Sequence, residues 1–454
     1  MKNRTPFLFL GMTSLAIGLF CCTSPNPEKS DAAGCGKADS TAIIVDSDTT
    51  SSQLNEWVLP PESDKQVSLE TTEQEQAFVK SNNKFAMDCY AQVRKMDSSS
   101  IKFFSPISLN IALGLCANGA SEKGAKEITD ALGFQGENAL EEMNDFYRKI
   151  YSSLNVKTDD AEMHTANALW VNQGTPVRND FIKAAKEKYY ATVRHLDFKN
   201  NPSAAKSTID HWAALATQDR IQSLGVDITD STRLLINNAC YFGAKWMCKF
   251  KLMPKERKFY GTHGKPELTT FMNIDYLRDN CQLDCAETRN YQAVKLYYND
   301  DYYMIVVLPK KGYALDNVLP SIQWNTIPFK IMNCELFMPK FESRGFYTFE
   351  HILKALNIND IFSSYPAVLN PKEGVKVEQV RQDFFLSVSE EGTEAAAVTS
   401  LSYEICEFED EPDPVFHMDC NRPFAFAICE KRRGYCSSWV SMMMCHKRIK
   451  DRGI

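Results

Sequence analysis

The chain is poor in the residue that acid–base catalysis draws on most: it has seven histidines in 454 residues. Histidine is the side chain whose unperturbed proton affinity lies nearest neutrality, so a low count restricts the options for general acid–base chemistry. There is no HExxH pair for zinc, no GxSxG turn for an activated serine and no Gly-rich dinucleotide fingerprint. The segment GCGKADS has the look of a phosphate loop, but Ala38 follows Lys37 where a hydroxyl is needed. The fifteen cysteines include no CxxC pair, and Cys281 and Cys285, four apart, lack the second pair that a zinc site requires. An excess of basic residues is missing too. A net charge of -7 and a pI near 5.7 argue against a phosphate-binding surface, and so against a nucleic-acid partner.

What is present begins with an export signal. Lys2 and Arg4 precede an apolar run from Phe7 to Phe20, short for a spanning helix and suited to a signal segment. Cys21 and Cys22 close that run, and a cysteine directly after such a segment is similar to a bacterial lipobox, although Phe20 and Cys21 stand where small residues are usual. Two readings stay open here: ordinary secretory cleavage, or lipid attachment at Cys22 with Cys21 as the alternative. Residues 1–22 are read as the signal peptide, and residues 23–72, rich in Ser, Thr, Asp and Pro, as a flexible tether that cannot bury enough surface to offset its ordering entropy. Residues 73–454 carry no further linker and no repeat, which makes them one large domain. The expected location is outside the cytoplasm, extracellular or lipid-anchored to a bacterial cell envelope, with a membrane reached only through the N-terminal lipid. Export permits disulfides, but cysteines in apolar runs, such as Cys116, Cys240 and Cys429, read as buried free thiols.

Apolar spacing supplies the elements. In EQAFVKSNNKFAMDCYAQVRKM, Phe85, Cys89 and Val93 with Ala86 and Tyr90 recur at fourfold spacing, which predicts an amphipathic helix, and NDFIKAAKEKYYATV repeats the signal. The runs RLLINNACYF, NYQAVKLYYND, YYMIVVLP, KIMNCELFMP and RPFAFAIC are short, β-branched or aromatic-rich and bounded by turn residues or charges, which predicts strands. Helices crowd the first half and strands the second, so the fold class is α+β. The late cluster Met442, Met443, Met444, Cys445 and His446 contains soft metal ligands, yet a Met run in a strand-rich segment is better read as core, and no cofactor or metal is expected.

One stretch fits no ordinary strand. In SVSEEGTEAAAVTSLSYEICEFEDEP, Thr393, Ala395 and Ala397 alternate with Glu394, Ala396 and Val398, so one face could be buried, but three alanines give little packing in any fixed position. Small residues suit a segment that slides between two existing strands, where main-chain hydrogen bonds supply the pairing. Gly392 adds a hinge. The acidic EFEDEPDP that follows has no burial pattern and reads as solvated bait.

Several blocks in order carry a family likeness: NNKFAMDCYAQV, IKFFSPISLNIALGLCANGASEKGAKEITDALGF, TANALWVNQG, LLINNACYFGAKW, MPKFES, SEEGTEAAA and NRPFAFAI. Over residues from Asn82 to about Cys429 the chain resembles the serpin family, including exported bacterial members. The resemblance implies a serpin fold of three β-sheets with about eight to nine helices and an exposed reactive-centre loop, and a monomer that is not an enzyme. It also implies suicide-substrate inhibition: a protease cleaves the loop, and the loop inserts in the central sheet while the acyl complex is trapped. By the same likeness Glu390, Glu391, Gly392, Thr393, Glu394, Ala395, Ala396 and Ala397 form the hinge. Trp246, Lys340 and Glu390 form the breach at the top of the sheet, and Ser105, Ser108, Asn238 and Gln382 the shutter. Gln382 stands where the family carries histidine, which leaves the shutter geometry open.

Counting along the loop as the family does places the reactive bond at Cys406–Glu407. The loop is extended, so Tyr403, Phe408 and Asp410 remain alternatives. No Lys or Arg occurs between Gly392 and Arg422, which disfavours a trypsin-like protease with an acidic specificity pocket. Elastase-, chymotrypsin-, subtilisin- and papain-like proteases are the expected partners. The alternative reading is a non-inhibitory serpin acting as a binding or chaperone-like envelope protein.

Overall fold

The computed structural model describes residues 72–96, 101–154, 156–157, 160–261, 265–299, 302–363, 377, 380–393, 414–430 and 441–445. The leader, nearly all of the tether, Glu394–Ala397 of the hinge, the lipid-attachment residues Cys21 and Cys22, and the bond candidates Tyr403, Cys406, Glu407, Phe408 and Asp410 lie outside the described residues.

The helical signal of the first half becomes packing. Helix Glu73–Met96 opens on Glu73 and Glu75 and closes on Arg94 and Lys95, charges that suit the two ends of its dipole. Phe85, Ala86, Cys89, Tyr90 and Val93 are buried, as their spacing predicts. Ser105 caps helix Pro106–Gly119: its side chain accepts the Ser108 N–H, and Pro106 occupies the first turn, where a missing N–H costs nothing. That helix is apolar on nearly every side and is buried almost throughout, so it runs through the core instead of over it. Helix Pro202–Ala216 lies on a sheet face, setting Ala205, Ile209, Trp212, Ala213 and Ala216 against Ala166, Ala168, Trp170 and Ala239. The rings of Trp170 and Trp212 meet edge to face at 5.7 Å.

Three sheets complete the α+β architecture. In the ten-stranded sheet, strand Tyr302–Pro309 sits between Tyr291–Tyr297 and Ala425–Glu430 and is buried at all of its positions, which explains its unbroken apolar run. The late segment Ser441–Cys445 is a strand of this sheet, paired antiparallel with both Ile101–Phe104 and Ala425–Glu430. The small sheet pairs Arg257–Phe259 with Glu267–Thr269. The seven-stranded sheet runs in the order Phe341–Thr348, Arg381–Val388, Gly392–Thr393, Leu234–Lys245, Ala161–Asn172, Val156–Lys157, with Thr192–Leu196 parallel to Ala161–Asn172. Ten α-helices occur among the described residues, more than the eight to nine expected, because Tyr276–Asp279, Leu315–Val318 and Asp360–Ser363 are four-residue turns too short to leave a periodicity in the sequence. No helix among the described residues is long and apolar enough to cross a membrane.

Cys248 and Cys281 form a disulfide, while Cys89, Cys116, Cys240, Cys285 and Cys334 are free thiols. Burial pushes the Cys116 thiol up to about 12. Burial also raises Cys240 to about 11, against a hydrogen bond from Ser105 that pulls the other way. Neither thiol is a nucleophile at neutral pH. The disulfide closes a loop with a sequence separation of 33 residues, which in the chain-entropy account stabilises the fold by about 3–4 kcal/mol. Replacing both cysteines by serine is expected to lower the urea-unfolding free energy by about that amount; an unchanged midpoint would show that the crosslink does not restrain the unfolded chain.

Candidate functional site

Of the residues expected as the hinge, Gly392 and Thr393 are paired within the seven-stranded sheet. Gly392 pairs with Lys245, and Thr393 pairs with Ala244 on one side and Val388 on the other, so two residues form a short strand between Leu234–Lys245 and Arg381–Val388. Among the described residues, no ladder joins those two longer strands directly; Gly392 and Thr393 connect them. The chain reaches this position through a tight reversal in which the Ser389 N–H donates to the Gly392 carbonyl at 2.9 Å. Glycine is required at 392 for a reason that the sequence does not show. A Cβ there would stand 2.8 Å from Lys245 Cα and closer still to the Ala244 carbonyl oxygen. The main chain of the hinge is thus pressed directly against the main chain of its neighbour.

Around this strand lies a shell of specific contacts. Trp246, 3% exposed, donates its indole N–H to the Ser389 carbonyl at 2.8 Å, and its main-chain N–H to the Glu391 carbonyl at 3.0 Å. The Phe250 N–H donates to the Glu390 carbonyl at 3.1 Å. Lys340 and Glu390 pair at 2.8 Å, as the breach reading expects, and Lys249 pairs with Glu391 at 2.7 Å. For Glu390, partial burial raises the proton affinity, but the Lys340 hydrogen bond and charge, together with a backbone hydrogen bond, outweigh it and leave the carboxyl below its ordinary value. Thr393 is fully buried, and its hydroxyl shares a 2.6 Å hydrogen bond with the Tyr298 hydroxyl. Tyr298 in turn stacks on Trp246 with ring centroids 4.3 Å apart. Burial drives the Tyr298 phenol well above its ordinary value, so the hydroxyl stays neutral and can donate or accept.

Sequence reading missed Tyr298 and Lys249. Each carries only the signal of an ordinary strand or surface residue, and each meets the hinge across a sequence separation of 95 and 142 residues respectively.

The four shutter residues also converge, at the N-terminus of helix Pro106–Gly119. The Ser108 hydroxyl donates to the Asn238 side-chain carbonyl, and the Asn238 amide donates to Asn167 at 2.7 Å. This ties the helix to strands Leu234–Lys245 and Ala161–Asn172. On the other side, Gln382 accepts the Ser105 N–H at 2.8 Å and returns its own N–H to the Ser105 carbonyl at 3.0 Å. The primary amide, with one acceptor and two donors, closes a two-bond ring on the main chain that a single histidine nitrogen could not. One helix terminus therefore grips, through different residues, the two strands between which the hinge enters. Among the described residues no cluster of His, Cys, Asp or Glu is arranged to hold a metal ion.

Comparison with known proteins agrees with this geometry. A family model described as serpin (serine protease inhibitor) matches residues 80–437. An uncharacterized serpin-like protein of Methanosarcina mazei is 29% identical over 370 residues, covering 78% of this chain and 84% of its own length. Human Serpin B4 is 28% identical over 379 residues, covering 77% of this chain and 95% of its own length. Among solved structures, the thermophilic serpin tengpin in its native state superposes with a TM-score of 0.71 at 20% identity, covering 84% of this chain and 96% of its own. Thyroxine-binding globulin in complex with thyroxine gives a TM-score of 0.68 at 22% identity, covering 81% of this chain and 97% of its own. With its sheets, its seated hinge and a family match spanning most of its length, the chain belongs to the serpin family.

Proposed function

We propose that the chain inhibits a protease as a suicide substrate, by completing the strand that Gly392 and Thr393 begin. The observation that carries this reading is the seated hinge itself. The first two residues of a new strand already pair on both sides, and the residues that follow, Glu394, Ala395, Ala396 and Ala397, are mostly too small to clash on entry. Cleavage in the bait leaves the N-terminal part of the loop free to follow Thr393 into the sheet. Each residue that enters gains main-chain hydrogen bonds in place of solvated ones, with a net gain of about 0.5–1.5 kcal/mol per bond. A protease still esterified to the new end is carried with it. The cleaved bond we place at Cys406–Glu407, with Tyr403, Phe408 and Asp410 as the neighbouring choices, and the target among elastase-, chymotrypsin-, subtilisin- or papain-like enzymes. The inhibitor acts outside the cytoplasm, as a soluble protein or held by a lipid at Cys22.

The direct test incubates the purified domain with one protease from each of those four classes. A complex that survives boiling in detergent is expected with at least one of them, and mass spectrometry of the released C-terminal peptide locates the bond. Loop cleavage is also expected to raise the melting temperature sharply, since the inserted strand adds a ladder on each side. Cleavage without a complex and without a gain in melting temperature would instead indicate a non-inhibitory binding protein.

Thr393→Arg places a charge at a fully buried position against the Tyr298 hydroxyl. The penalty of several kcal/mol for an unpaired buried charge is expected to keep the hinge out of the sheet and turn inhibition into simple cleavage. Persistent detergent-stable complexes in this variant would remove the hinge assignment.

The Lys340–Glu390 pair gives a dependence on pH. Because the folded Glu390 binds its proton less readily than in the unfolded chain, its stabilising contribution is present above the ordinary glutamate value of 4.5 and is lost as the pH falls through the lowered one. Lys340 is 41% exposed on its side chain, so solvent screening keeps the contribution to about 0.5 kcal/mol. The stability difference between the unsubstituted protein and Lys340→Met should therefore be measurable at pH 7 and shrink progressively as the pH falls below the ordinary glutamate value. Parallel unfolding curves across that range would show that the pair is not coupled to folding.

A further inference from the structure

Residues 246–250 carry the chain from strand Leu234–Lys245 of the seven-stranded sheet to strand Lys251–Leu252 of the ten-stranded one. Ala244 and Lys245, which pair with Thr393 and Gly392, directly precede this crossing. Its residues face two ways. Toward the hinge, Trp246 donates from its indole to Ser389 and from its main chain to Glu391, Lys249 pairs with Glu391, and the Phe250 N–H donates to the Glu390 carbonyl. Away from it, the Met247 N–H donates to the Tyr297 carbonyl at 2.8 Å, one residue before the tyrosine that receives Thr393. Cys248, in the middle of the crossing, is bonded to Cys281.

Cys281 directly precedes strand Gln282–Glu287, which is paired on both sides, with Tyr291–Tyr297 and with Lys330–Pro339. The disulfide thus moors the crossing to the ten-stranded sheet, at a point between the Trp246 and Lys249 contacts to Glu391. Noncovalent support on that side is modest. Strand Lys251–Leu252 pairs through its two residues with Asn273 and Met272, and the Lys251–Asp279 ion pair, at 3.5 Å, has a lysine side chain 59% exposed. Both cysteines of the bridge are half-buried and have exposed neighbours: Met247 beside Cys248, and Asn280 and Gln282 on either side of Cys281. A small reductant has access to such a bond, whereas Cys89, Cys116, Cys285 and Cys334 are buried.

We propose that the Cys248–Cys281 disulfide is a redox-sensitive brace of the hinge. Oxidised, it holds the crossing against Ser389, Glu390 and Glu391 and so keeps Gly392 and Thr393 paired; reduced, it lets the crossing shift and the hinge leave its seat. The reductant is a small dithiol. Its thiolate attacks one sulfur and forms a mixed disulfide as the protein's S–S bond breaks, and its second thiol then closes a cyclic disulfide. The dithiol gives up two electrons and two protons, and Cys248 and Cys281 become thiols. The coupling to the hinge is geometric. The hinge reversal accepts hydrogen bonds from the Trp246 indole and from the Trp246 and Phe250 main chain, and a donor displaced by about an ångström no longer makes them. The brace concerns the seat itself and does not rest on the insertion reading. Where that reading holds, the seat is where insertion begins, and the brace makes that step answer to the redox conditions around the protein.

The test is hydrogen–deuterium exchange of the folded chain before and after treatment with dithiothreitol, with the state of Cys248 and Cys281 read by alkylation and peptide mass spectrometry. Reduction is expected to speed labelling about tenfold in peptides that cover residues 244–250 and 388–393, while strand Tyr302–Pro309 stays protected over the same interval. A chain carrying both Cys248→Ser and Cys281→Ser is expected to show the same pattern without reductant and no further response to it. If that chain fails to fold, reduction of the unsubstituted protein alone decides. A bond that resists dithiothreitol in the folded chain overturns the proposal. So do hinge peptides that keep their protection after reduction, or that lose it only together with Tyr302–Pro309, as global unfolding would cause. Trapping of a protease is read separately, by the detergent-stable complex, so failure of the inhibition reading leaves the exchange result standing.

Discussion

The pairing of Gly392 and Thr393 with Ala244 and Lys245 on one side, and with Val388 on the other, is the contact on which the rest of the molecule turns. It needs a residue without a Cβ at 392, because the Ala244 carbonyl lies where that carbon would be. It needs a small β-branched alcohol at 393, whose hydroxyl meets Tyr298 in a site closed to water. An unpaired hydroxyl at that depth would cost more than the pairing returns, so Tyr298 is as much a condition of the seated hinge as the glycine is. Trp246 joins the two parts, donating to the main chain of the reversal and stacking on the tyrosine.

From this start the sheet is constrained at successive levels. The Lys340–Glu390 and Lys249–Glu391 pairs hold the entrance. Below it, the N-terminus of helix Pro106–Gly119 binds one wall through Asn238 and the other through Gln382. None of these contacts is strong alone. The ion pairs at the entrance are partly exposed, and the contacts of the helix terminus are ordinary hydrogen bonds. The restraints on this sheet are thus many and individually small. In the ten-stranded sheet, by contrast, strand Tyr302–Pro309 is buried along its whole length.

Much of this organisation was legible in the chain. Fourfold spacing located helix Glu73–Met96, and the unbroken run YYMIVVLP located a strand covered on both faces. Lys340 and Glu390, expected as a pair, stand 2.8 Å apart. The substitution of an amide for a histidine at 382 left the shutter open to question; the structure answers it with two hydrogen bonds to Ser105, because an amide matches a peptide group donor for acceptor. The short helices and the Cys248–Cys281 bond were not legible. Four residues hold no periodicity, and a pairing of thiols depends on where distant strands bring them.

By itself, the sequence determined the α+β class, the order of most elements, the low-bulk alternation around Thr393 and the absence of basic residues from the bait, because each is a property of neighbouring residues along one segment. Only the tertiary structure decided that Gly392 must lack a side chain, that Tyr298 receives Thr393, and that Arg381 reaches Gly225 across a separation of 156 residues. Those facts arise where segments far apart in the chain are brought within hydrogen-bond distance. Local propensity carries no information about that distance, because closing such long loops is driven by the burial of the whole core rather than by the residues that finally meet.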